Sequence, residues 1–159
     1  SAGWMAGGVA ANLERLRPTL ACFTRSVNHM GPVGTGQATK AVNQLMAAGI
    51  NQAVTEALAF GQAQGLDMQQ VIQVISGGAA GNWFLEHRGT SILEGRFEPG
   101  FKLSLHHKDL EICRRMLQDR GVRSPLLEMT LADYKTLLDE GHGDEDISTL
   151  FQRKRRLYE

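Results

Sequence analysis

Three short segments of this 159-residue chain carry side chains whose types and spacing suit chemistry. The first is Gly31-Pro-Val-Gly34-Thr-Gly36-Gln-Ala-Thr-Lys40, a glycine-rich turn leading into a helical pattern whose opening turns hold a lysine. Two phosphate-binding readings of it fail. A P-loop requires Lys directly after its last glycine, where Gln37 stands. A dinucleotide fingerprint opening at Gly34 requires Gly or Ala at position 39, where Thr39 stands, and the acidic Glu56 falls inside the same helical run instead of after a second strand. What remains is a lysine set near the positive end of a helix dipole, a placement that costs stability and so hints at function. Asn43, Gln44, Ala47 and Asn51 share its narrow helical face. The same spacing also suits an ordinary surface lysine whose stem lies along the helix.

The second segment is His106-His107-Lys108-Asp109, just after Phe101. Adjacent histidines on a helix diverge by about 100°, and no third ligand stands four residues away, so no metal site is expected. Lys108 and Asp109 read equally as site charges or as helix-surface charges. The third segment, Gly77-Gly-Ala-Ala-Gly81-Asn82-Trp83, is a flexible connection beside a large aromatic. It suits the wall of a substrate pocket, or a loop anchored in the core by its Trp. No Ser/His/Asp or Cys/His arrangement is present.

These residues must be positioned by helices. Val9, Leu13, Leu16 and Leu20 predict a helix over 8–24 with one buried face, and the short stretch 26–30 before Gly31-Pro32 suggests one strand. From Thr35 to about Gln64 no Pro interrupts an apolar repeat running from Val42 to Leu58. About 30 residues at ~1.5 Å each would reach ~45 Å, enough for the central axis of a bundle. Further helices are expected at 68–75, capped by Asp67, in two short pieces around Trp83 and around Ile92-Leu93, and at 102–120, 125–140 and 146–157. The fold class is therefore all-α.

Composition narrows the partners. The 17 basic and 17 acidic side chains cancel, so neither nucleic acid nor an anionic membrane is favoured. Apolar stretches fall far short of the ~20 residues a membrane helix requires. The opening residues lack a signal-peptide pattern, and two isolated cysteines, Cys22 and Cys113, read as buried thiols of a reducing compartment, which together make a cytoplasmic location the expectation. The basic run Arg153-Lys-Arg-Arg156 reads as a solvated helix end opposing the dipole.

Taken together, Gly31-x-x-Gly-x-Gly-x-x-x-Lys40-x-x-Asn43-Gln44, the Gly77-Gly-x-x-Gly loop, and Phe97-x-Pro-Gly-Phe101 followed by His107-Lys-Asp109 resemble the C-terminal half of a β-hydroxyacid dehydrogenase. The branch is that of 3-hydroxyisobutyrate dehydrogenase and tartronate semialdehyde reductase, and the resemblance spans about residues 5–155. It implies residues 1–34 as a strand-helix-strand remnant ending a Rossmann domain. Residues 35–159 would then be an all-helical substrate and dimerisation domain, like the C-terminal domain of 6-phosphogluconate dehydrogenase. By the same resemblance, Lys40 is the catalytic acid/base, and Asn43 and Gly36 bind substrate, with Gln44 an alternative to Asn43. Asn82 and Trp83 shape the substrate pocket; Phe101, Lys108 and Asp109 lie near the nicotinamide of NAD or NADP. The substrate is a small hydroxy acid, and the partner is a second copy held through the 35–64 helix. The family's nucleotide fingerprint and Ser-Gly-Gly motif belong to its N-terminal domain and are not recognisable here, so the chain is expected to be inactive alone. A non-catalytic helical dimerisation module is the alternative.

Overall fold

The computed structural model describes residues 3–159; Ser1 and Ala2, where the expected 1–34 remnant begins, lie outside the described residues. The backbone separates into two compact units, the first ending at Gln44 and the second running from Leu45 to Glu159.

The first unit holds strand β1 (Trp4–Gly7), helix α1 (Ala10–Leu20), strand β2 (Val27–Gly31) and the opening turns of α2 (Thr35–Ala63). The strands pair in parallel, with Trp4 opposite Val27 and Ala6 opposite His29. Parallel neighbours cannot be joined by a tight hairpin, which makes α1 the crossover. Glycine seats α2 on the sheet. A Cβ on Gly36 would stand 2.5 Å from the Met5 carbonyl oxygen, and one on Gly7 would stand 2.6 Å from that of Pro32.

Two expectations fail in this unit. Helix α1 is shorter than 8–24, and of its apolar stripe only Leu13 is buried, while Val9 and Leu16 remain 65% and 54% exposed. Two strands about 4.8 Å apart are narrower than a helix of ~10 Å diameter, so the sheet covers one line of side chains and leaves the flanks open. Cys22, expected to be buried, follows α1 and is exposed.

The second unit is all-helical. It contains the rest of α2, then α3 (Met68–Ser76), α4 (Trp83–Leu93), α5 (Leu103–Gln118), α6 (Pro125–Asp139), a 3-10 turn (Ile147–Thr149) and α7 (Leu150–Arg155). Helix α2 is unbroken over its 29 residues, and its Val54, Leu58 and Ala59 join Met68, Leu85, Ile92 and Phe151 in the core. Side-chain caps set the helix starts: Asp67 accepts from the Gln69 and Gln70 amides, Asn82 from Leu85, and Ser124 from Leu127 ahead of Pro125.

The expected pair of short helices is one helix, α4. Its Gly89 is buried where a Cβ would come 2.9 Å from Ile72 Cδ1, so this glycine permits close packing on α3. The expected terminal helix divides into the 3-10 turn and α7. The basic run is not wholly solvated either. Lys154 is buried and pairs with Glu56 at 3.2 Å and Asp133 at 3.3 Å, which tie α7 to α2 and α6.

Candidate functional site

In the first unit the glycine-rich turn is a built structure. Gly31 and Gly34 have φ of 118° and 94°, a region disfavoured for side-chain-bearing residues. Thr35 Oγ1 donates to the Pro32 carbonyl at 2.7 Å and Thr39 Oγ1 to that of Thr35 at 2.8 Å, which fastens the first turn of α2. Lys40 is exposed and lines a cavity of about 640 Å³ together with Gly7, Gly8, His29, Gly36 and Gln37. His29, which the sequence pattern did not single out, donates from Nε2 to the Gly8 carbonyl at 2.7 Å, since a carbonyl oxygen can only accept.

Asn43 and Gln44 are now distinguishable. Asn43 is exposed and donates to Gln44 Oε1 at 3.0 Å, whereas Gln44 is only 5% exposed. Asn43 is therefore the one open to a ligand. Further along the same helical face Asn51 is fully buried, so the stripe that reads as uniformly polar in sequence passes into the core. Asn51 Nδ2 donates to Tyr134 OH at 2.9 Å and to the Ile147 carbonyl at 2.8 Å. Tyr134 OH lies 3.0 Å from His106 Nδ1, and burial pushes the phenol far above its ordinary pKa. The His106 ring packs 5.1 Å from that of Phe101, so this buried network supports Phe101 from behind.

Phe101 sits in a turn between α4 and α5 that is pinned from a distance. Asp146, almost fully buried, accepts the Gly100 and Phe101 amides on Oδ2, both at 3.0 Å, while its own amide donates to the Phe97 carbonyl at 2.9 Å. The Ile147 amide donates to the Phe101 carbonyl at 3.0 Å. Around this turn lies a cleft of about 290 Å³, lined by Ala47 and Ile50 of α2, Trp83, Phe84 and Arg88 of α4, and Gly100, Phe101, Asp146 and Ile147.

Trp83 is 62% exposed, which rules out the core-anchor reading. Its ring stacks on His87 with centroids 4.2 Å apart and planes at 14°, and His87 Nδ1 donates to the Trp83 carbonyl. Asn82 uses both ends of its amide locally, accepting from Leu85 N and donating to the Ala80 carbonyl. Lys108 is exposed and pairs at 3.4 Å with the buried Asp109, which is thus no surface charge. The second unit therefore brings Trp83 and Phe101 into one cleft, while Asn82, Lys108 and Asp109 are not among its lining residues. Arg88, His87 and Asp146 carried no sequence signal, because their partners are a carboxylate more than 50 positions on, a ring four residues away and a turn some 45 residues distant.

Residues 34–153 match the family described as NAD-binding of NADP-dependent 3-hydroxyisobutyrate dehydrogenase, and the chain belongs to that family. It is 34% identical over 94% of its length to an uncharacterised oxidoreductase of Shewanella frigidimarina and 32% identical over 93% to 2-hydroxy-3-oxopropionate reductase of Escherichia coli; it covers 51% of each. Among solved structures, 3-hydroxyisobutyrate dehydrogenase of Mycobacterium tuberculosis, determined with L-serine, superimposes on 94% of the chain with a TM-score of 0.84 at 29% identity, and 53% of that protein is covered. The chain thus spans about half the length of the relatives it matches. No helix among the described residues is long and apolar enough to cross a membrane.

Proposed function

We propose that this chain is the helical half of an NAD(P)-dependent oxidoreductase that interconverts a small 3-hydroxy acid and its semialdehyde, with Lys40 as general acid and base. The observation that carries the reading is Lys40 itself: exposed in the opening turns of α2, it lines a cavity with glycine backbone on its wall. In reduction its ammonium would give a proton to the carbonyl oxygen as that oxygen gains charge; in oxidation the amine would take the hydroxyl proton. Lysine suits both directions because it can release its proton, which arginine does not. Asn43, three residues on, would hold the hydroxyl or carboxylate from the same helical face, and the Gly36 backbone, which lines the cavity, would stand beside the substrate.

The residues present fit a nicotinamide cofactor. Phe101 offers a half-buried aromatic wall in the cleft and Lys108 an exposed cation, the two residue types that a planar ring and its anionic dinucleotide call for. Phe101, Lys108 and Asp109 would hold its nicotinamide end, and Trp83 with Asn82 would shape the substrate pocket. When bound, the cofactor supplies the hydride acceptor or donor. Without a pyrophosphate cradle, the 159-residue chain alone is expected to bind nucleotide weakly and to turn nothing over.

In the longer protein, Lys40→Ala should leave cofactor binding nearly intact and remove most of the turnover. Survival of turnover within about tenfold, ~1.4 kcal/mol in the barrier, would contradict the role.

Assembly as a homodimer through α2 belongs to the same reading. Val42, Met46 and Phe60 are 59%, 62% and 53% exposed and fall within about 40° of one another around the helix. A two-fold contact would cover that stripe twice with one surface. Ala48 and Gly49, small residues that also suit close helix approach, are used within the subunit: Ala48 is fully buried and Gly49 faces Leu126. Light scattering at low micromolar concentration should exceed the single-chain mass of 17.4 kDa, and a value equal to it would rule out the dimer.

A further inference from the structure

The cleft in the second unit is apolar except at one edge. Trp83, Phe84, Phe101, Ile50 and Ile147 supply its walls, and among the described residues its charged lining is Arg88 and the buried Asp146, whose carboxylate oxygens are taken up by backbone amides. The Arg88 side chain is 28% exposed, and its Nη2 lies 3.8 Å from Asp146 Oδ2, close enough for electrostatic attraction and too far for a hydrogen bond. That oxygen already accepts two backbone amides, and Oδ1 accepts a third from Ser148. Asp146 therefore holds Arg88 in place without engaging its five N–H donors. Its Nη2 fills the space that a Cβ on Gly100 would take, so the glycine leaves room for the guanidinium at the cleft edge.

We infer that this cleft binds a small organic carboxylate with a flat or branched apolar body, and that Arg88 recognises the carboxylate. A planar fork of donors matches a carboxylate in two parallel hydrogen bonds, and apolar walls strengthen such a pair by excluding water. The Trp83 indole, propped by its stack on His87, gives the body a rigid flat face. A volume of about 290 Å³ sits at the small end of ligand cavities, which limits the ligand to metabolite size. The inference rests on the reading of Trp83 as a ligand-facing residue and not on the role of Lys40, so the two can fail separately.

Benzoate and benzamide share size and shape and differ in charge, which makes them the probes. Titrated into the chain and followed by the Trp83 indole N–H signal in nuclear magnetic resonance, benzoate should bind saturably and benzamide at least tenfold more weakly. Arg88→Gln should abolish that preference, and Arg88→Lys should restore only part of it, since it returns the charge without the fork. Should Arg88→Gln fail to fold, Gly100→Ala decides: it displaces the guanidinium while keeping it, and should weaken benzoate about tenfold with benzamide unchanged. Equal binding of the two probes, binding of neither, or a preference that survives both variants would overturn the proposal. Loss of the preference in a protein whose turnover survives Lys40→Ala would keep this cleft and discard the acid/base role.

Discussion

The two units solve the same covering problem with different success. In the second, seven helical segments surround a core in which Leu103, Leu110, Leu127, Tyr134, Leu137 and Leu150 are fully buried. In the first, one crossover helix and the start of α2 rest on two strands, and Trp4, Val9, Leu16 and Val33 remain 48–87% exposed around an open cavity. An apolar stripe becomes core only when the layer opposite is at least as wide as the element carrying it. A two-stranded layer is not, and the cavity holding Lys40 is the space left over.

The largest expected effect contrasts Leu110→Ala with Leu16→Ala. Removing the fully buried side chain should cost about 2–5 kcal/mol, because a rigid core cannot close over the cavity. The half-exposed Leu16 should cost roughly 0.5 kcal/mol or less. Urea denaturation of the two variants checks this, and equal losses would mean that the first unit is covered in solution. Gly36→Ala comes next. Its Cβ would press on backbone, which cannot swing aside as a side chain can, so a loss of about 1–3 kcal/mol is expected. It should appear as faster hydrogen exchange of β1 and β2 amides while α5 and α6 keep their protection.

The smallest effect is a pH dependence belonging to the second unit. Burial holds His107 below the ordinary histidine pKa, and Arg114 and Lys135 push the same way against Glu111. Below about pH 6.5 the unfolded chain takes up this proton before the folded one does, so stability falls as pH drops from 6.5 through the lowered folded value. His107→Gln should flatten that part of the stability curve and leave pH 8 unchanged; a curve unaltered between pH 5 and 6.5 would refute the assignment.

Some of this was legible in the residues and some was not, for physical reasons. Helix α2 could be read because its apolar repeat runs uninterrupted, and the Asp67 cap and the start at Pro125 because helix starts depend on neighbours in sequence. Burial depends on partners far along the chain. Asn51 reads as one more polar residue on Lys40's face until Tyr134 and Ile147 are seen to receive its amide. The stretches around Trp83 and Ile92 read as two short helices until Gly89 is found packed on Ile72 within one, and Lys154 reads as solvated until Asp133 and Glu56 close around it. In the candidate site, Lys40 and Phe101 were marked by motif, whereas Arg88 stood in no pattern and emerged only from the cleft it borders.

The Asp146 clasp has a consequence for how the molecule is made. The turn bearing Phe101 receives its fastening bonds from residues 145–147, more than 40 positions downstream. During synthesis that turn leaves the ribosome well before its clasp does and must wait unfastened while α5 and α6 are translated. A nascent chain stalled anywhere between Lys102 and Glu145 would carry the aromatic ring without the carboxylate that locates it, so the cleft cannot close until residues 145–147 have been made.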